Sequence, residues 1–363
     1  LIMKSFAAIR AGLDVALIGV MVLTLTMLTG CGSSGSGSGG GGGTTPNGAK
    51  NVYVIAEEEN GDGSILEFPV GSSGNVAPKA TLVPPSGLEV TAVATDSGGQ
   101  IYVGTYDGTN FQILVYPAGS TGSATPTRTI LTGDFSDANL VIPGSMTIDS
   151  SGKLYVTGPE GSVAVYSATA NGTATPVQLI TSSVLTGPVG VAVDSSGDIY
   201  VSNEVPTEDF ATGAIYVFAA GATGSATPIR QITSPSVFFG IALDSSGDIY
   251  ASEDTFVLDN SGDITSATAQ IVEFDGSATG AATPMKTLKI PSGGAPITVA
   301  GGLRIDSAGN LFVPAQTDSS TSSNATLVTS LLEFGPTATS SSAPAATFTS
   351  TSWTDPQEEI AVF

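Results

Sequence analysis

The sequence predicts an all-β fold, a six-bladed β-propeller of four-stranded blades, and three observations predict it. A unit of roughly fifty residues recurs six times between residue 47 and the end, a period that marks a stacked repeat architecture. Every unit carries the same three landmarks in the same order. The chain stops where the innermost strand of its first unit would stop. A repeat of this kind cannot bury its own apolar faces and must stack on its neighbours, and small sheets stacked radially make a propeller.

The first landmark is an Asp, a short Ser/Gly turn and an aliphatic-aromatic-aliphatic triplet. Asp96 leads to Tyr102, Asp149 to Tyr155, Asp194 to Tyr200, Asp244 to Tyr250 and Asp306 to Phe312, and Asn47 with Tyr53 supplies a degenerate copy. Alternating apolar residues on either side of a DSSGD turn read as two antiparallel strands, because Ser, Gly and Asp provide turn hydrogen bonds and permissive backbone angles. The second landmark is a strand ending in Phe68, Tyr116, Tyr166, Phe218, Phe274 or Phe334. These six aromatics are expected to be core between blades. The third is a small-residue turn closing in proline, as in Gly224-Ser225-Ala226-Thr227-Pro228, with counterparts at Pro78, Pro126, Pro176, Pro284 and Pro344. Proline cannot donate a ladder hydrogen bond, so the strand after it is the outer, edge strand.

The first unit lacks an inner strand, since only a glycine-rich tract precedes Asn47. Ile360-Ala361-Val362 aligns with Val191-Ala192-Val193 and supplies it. The expected ring is closed by the C-terminal strand completing blade one, which leaves no inner edge exposed.

Pro188-x-Gly190-Val191-Ala192-Val193-Asp194 followed by Ile199-Tyr200-Val201 resembles the repeat of NHL six-bladed propellers. The resemblance spans nearly all of residues 47–363 and implies the fold; that scaffold carries lyases, lactonases, RNA readers and interaction modules alike. The basic residue that NHL repeats often place before the third strand is absent at Ala214.

Ahead of the propeller, Lys4 and Arg10 precede an apolar stretch from Val15 to Leu28, too short to span a bilayer and of signal-peptide form. Leu28-Thr29-Gly30-Cys31 then matches a bacterial lipobox, and Cys31 is the only cysteine. Residues 1–31 are therefore expected to be a lipoprotein signal ending at a lipidated Cys31. Gly32 rather than Asp after it suggests an outer-membrane destination. Residues 32–46 are almost wholly Gly, Ser and Thr, a flexible tether.

Removing residues 1–31 takes away Asp14, Lys4 and Arg10 and leaves 31 acidic and 8 basic residues. That balance excludes nucleic acid as the expected partner, because a phosphate backbone needs a Lys/Arg patch. The absence of histidine removes Ser-His-Asp triads and His-ligated zinc. Fourteen acids from Glu57 to Asp318 fall in loops between second and third strands, and Glu89, Asp134, Asp137, Asp355 and Glu358 fall in loops entering inner strands. Both loop sets emerge on one side, so an acidic face is expected. Its best-spaced oxygen donors for Ca2+ are Glu58, Asn60 and Asp62, and Asp259, Ser261 and Asp263. The Asp of each DSSGD turn reads as a turn former rather than a calcium ligand.

Arg304 stands at the inner-strand position held elsewhere by Ala94, Thr147, Ala192, Ala242 and Ala361, and Glu359 replaces the glycine of Gly190, Gly240 and Gly302. An Arg304–Glu359 pair near the axis is the expected compensation, read first as a structural lock on ring closure and alternatively as part of a ligand site. The leading functional expectation is a monomeric, membrane-tethered, non-catalytic binding module for a protein or glycan. The alternatives are a calcium-dependent lactonase or hydrolase, or a carbohydrate-binding protein using Phe238, Phe239 or Trp353.

Overall fold

The computed structural model describes residues 50–57, 62–134, 144–158, 161–207, 211–259, 264–293, 297–318, 327–350 and 356–363. Every regular element among them is a β-strand, and none contains a helix long and apolar enough to cross a membrane. Six four-stranded blades form a ring. Blade four shows the plan most simply: inner strand Pro188–Val193, second strand Ile199–Pro206, third strand Ala211–Phe218 and outer strand Arg230–Ser234, each antiparallel to the next.

The register confirms the repeat alignment residue by residue. Ala94 lies opposite Tyr102, Thr147 opposite Tyr155, Ala192 opposite Tyr200, Ala242 opposite Tyr250 and Arg304 opposite Phe312. Blade one obeys the same rule through the C-terminal strand Pro356–Val362, which pairs with Asn51–Glu57 and sets Ala361 opposite Tyr53. In blade six the inner strand is broken into Ile297–Ala300 and Arg304–Ile305.

The core lies between the blades. Tyr116, Tyr166, Phe218, Phe274, Phe334 and Phe68 are each fully or almost fully buried, and each sits in a separate apolar cluster shared by two neighbouring blades. Close approach explains the small inner residues: a Cβ on Gly240 would come within 2.3 Å of the Leu303 backbone nitrogen in the next blade.

Two polar devices join blades. On the inner side, the Ser252 hydroxyl accepts the Gly240 N–H at 2.8 Å and donates to the Gly301 carbonyl of blade six at 2.7 Å. Ser202 links Gly190 to the Phe239 carbonyl of blade five in the same way, and Thr157 reaches the Val189 carbonyl of blade four. On the rim, the small-residue turn of one blade lies parallel to the outer strand of the blade before it. Gly224 donates to the Leu179 carbonyl at 2.7 Å and accepts the Thr181 N–H at 2.8 Å. Gly122 and Gly280 make the same two bonds, and Gly172 and Gly74 pair with Ile130 and Phe348. All five glycines hold φ between 58° and 77°, a region costly for other residues. The Gly-Ser-Ala-Thr-Pro turn is thus a latch between blades as well as a way into the outer strand.

Candidate functional site: the loop face and the axis

The turns following the inner strands are closed by their aspartates. Asp194 Oδ1 accepts the N–H groups of Ser196 and Asp198, both at 2.9 Å, and Asp96, Asp149, Asp244 and Asp306 repeat the pattern. At Asp149, burial opposes ionisation, but bonds from the Ser151 hydroxyl, the Lys153 N–H and the Tyr155 hydroxyl outweigh it and hold the carboxyl below its ordinary range. These carboxylates serve the turns, as the spacing suggested.

On the opposite face, the long hairpins meet the loops that enter the inner strands. In blade one, Asp62 Oδ1 accepts the Gly87 N–H at 2.7 Å and ties the two loop sets together. Asp107 is exposed and accepts the N–H groups of Thr109 and Asn110, which lowers its pKa. Asp259 is exposed just beyond the strand Ile249–Leu258. Glu58, Asn60, Ser261 and Asp263 lie outside the described residues, as do Cys31 and Trp353. Among the described residues, no three His, Cys, Asp or Glu side chains converge.

The acidic face is thinner than the sequence suggested. Glu253 and Asp254, read as surface acids, are buried at 7% and 0% exposure, because the strand Ile249–Leu258 carries its pairing past them. Glu253 is held by the Ser234 hydroxyl and by Gln270 Nε2. Phe238 and Phe239, candidate sugar-stacking residues, are likewise core, lying within the inner strand Val237–Leu243 of blade five.

Glu204 has the most unusual setting. It sits on the second strand of blade four between Gly187 and Gly213, and its backbone carbonyl accepts from the Thr186 hydroxyl at 2.7 Å and from Asn203 Nδ2 at 2.8 Å. Burial pushes its carboxyl up to about 7. A carboxyl titrating there changes the charge of this face near neutrality.

At the axis, Arg304 does something that spacing alone did not show. Its guanidinium donates to its neighbour's carbonyl at Leu303, 2.9 Å, and to the Met146 carbonyl at 3.1 Å. Met146 belongs to the inner strand Ser145–Ile148 of blade three, directly across a six-membered ring from blade six. The side chain of Glu359 lies outside the description.

Sequence reading missed the hydroxyl links, the latches and the burial of Glu204. A signal existed for the first: Thr157, Ser202 and Ser252 each stand two residues after the repeat tyrosine. Basic residues absent before the third strand reappear on the outer one. Arg128 and Arg230 donate to Tyr102 and Tyr200 hydroxyls at 3.1 and 3.0 Å and to loop carbonyls of the following blade.

No protein-family model matches the chain, and no curated protein matches it. Its fold is similar to a protein of unknown function from Bacteroides caccae, with a TM-score of 0.52 and 10% identity over 87% of this chain and 99% of that one. It is also similar to a protein from Lactobacillus plantarum, TM-score 0.47 and 11% identity over 87% and 99%. A third similar structure is a luciferin-regenerating enzyme, TM-score 0.46 and 13% identity over 83% and 96%. At 10% identity the first of these likenesses shows the fold alone.

Proposed function

We propose that this chain is a non-catalytic, NHL-like propeller acting as a binding module at the cell envelope, tethered through a lipid on Cys31. The observation that carries the reading is Arg304. A propeller's axis is its natural enclosure for a small ligand, and here a guanidinium bonded to blades six and three crosses it. Recognition is left to the outer surfaces. The loop face, with Asp107, Asp259 and Glu89 exposed, suits a basic or divalent-cation-bearing partner, and the overall negative charge disfavours nucleic acid.

The tether rests on the charged start, the apolar stretch and the Leu28-Thr29-Gly30-Cys31 motif. Two measurements in the producing cell test the proposal. Cys31→Ser should release the protein from the membrane fraction, and retention in high salt would overturn the tether. A photo-crosslinking residue at position 107 should yield a discrete adduct that one at position 245, exposed in a turn on the opposite face, does not. Equal or absent adducts would overturn the binding face.

A further inference from the structure

The latch that closes the rim is missing at one joint. Five positive-φ glycines, each four residues before the latch proline, bridge to the preceding outer strand, but the sixth position is Ser340, before Pro344. The Ser340 turn closes on itself, with the Ser342 N–H donating to the Thr339 carbonyl at 2.8 Å. By alignment with Gln231 and Thr233, the groups that a latch would engage in blade five are the Thr287 carbonyl and the Lys289 N–H. Among the described residues neither has a latch partner.

A side-chain bond that reinforces three of the five latches, though not those on Ala80 and Ala346 of blades one and six, is missing too. Arg128, Gln178 and Arg230 stand at one position of their outer strands and donate to carbonyls in the next blade's turn. Lys286, their counterpart, pairs with Glu273 instead and lies over the Tyr250 ring. Blade five therefore ends in an open strand edge, Lys286–Lys289, with Met285 half-exposed at its start.

We propose that this edge docks an extended, acidic, glycine-containing protein segment, which adds parallel to Lys286–Lys289 as a fifth strand. The other joints show the shape of the occupant: a small-residue segment running parallel and supplying one N–H and one carbonyl. Main-chain bonds of this kind carry affinity in strand addition. Charge selects the partner. Lys289, exposed on this edge, is one of the eight basic residues beyond Cys31, whereas the charge of Lys286 is already met by Glu273; a lysine on an edge opposes pairing with a basic strand. An acidic strand is the one Lys289 favours. The site is on the rim, apart from the loop face, so either can fail without the other.

The test is a fluorescence-anisotropy titration of the full chain with a labelled peptide of the chain's own latch, Ser277 to Ala282, carrying two added glutamates at each end. A version with lysines at each end is the control. The acidic peptide should bind saturably and about tenfold more tightly than the control. Lys289→Pro removes the outward N–H and should weaken binding by about tenfold, and Lys289→Glu should weaken it through charge. Should Lys289→Pro unfold the blade, Lys289→Glu decides, since it leaves the backbone intact. No saturable binding, equal binding of the control, or binding unchanged by the variant that decides would overturn the proposal.

Discussion

Glu204 and Arg304 show how one side chain departs from a repeat and what the departure costs. Burial raises the Glu204 carboxyl from 4.5 to about 7, so the fold prefers its neutral form. That preference is fully expressed below about pH 4.5 and lost as pH rises through about 7. Glu204→Gln keeps the shape and removes the charge. It should raise the melting temperature at pH 8 by on the order of 2 °C and leave it nearly unchanged at about pH 4; an equal shift at both pH values would place the cause elsewhere. Arg304→Ala deletes the bonds to Leu303 and Met146 and should cost about 2 kcal/mol in denaturant unfolding. Combining it with Glu359→Gly should cost less than the sum, because an unpaired charge near the axis is worse than none. Additive effects would show that the two side chains do not meet.

Between elements, stability depends on groups that no single strand satisfies. Ser252→Ala would strand the Gly240 N–H and the Gly301 carbonyl in a dry joint, and the expected loss is about 2 kcal/mol. Gly224 offers a cleaner measure of the latch. A Cβ there would meet nothing within 4 Å, while φ is +61°, so Gly224→Ala tests backbone conformation without steric clash and should cost ~1–2 kcal/mol. A neutral result in equilibrium unfolding would mean that the latch follows the joint rather than holding it. The sequence repeats Gly-Ser-Ala-Thr-Pro plainly, yet it reads only as a turn before an edge strand. Its partner is the outer strand of the preceding blade, roughly forty to fifty residues upstream in a period of this kind, and no local pattern points there.

For the whole molecule, closure is the property to test. Deleting Glu358 to Phe363 would remove most of the strand that pairs with Asn51–Glu57 and the backbone bonds joining Phe363 to Lys50 and Asn51. Because each blade is buried by two neighbours, the loss should spread around the ring and lower the melting temperature by far more than a few degrees. A melt within a degree or two of the full chain would mean that this strand does not close the ring.

What the sequence determined by itself was the count of blades, the four-strand plan, the six inter-blade aromatics and the register that equates Arg304 with Ala192. All of these follow from periodicity, since strand alternation and turn chemistry act over a few residues and recur with the unit. Only the tertiary structure decided that Glu253, Asp254, Phe238 and Phe239 are buried, that Glu204 is desolvated and that Arg304 reaches blade three. It also decided that the rim is latched everywhere described except at blade five. The physical reason is common to them all: burial and hydrogen-bond partnership are set by the neighbouring blade or by the one across the axis, and a repeat pattern describes each blade without saying what its neighbours place against it.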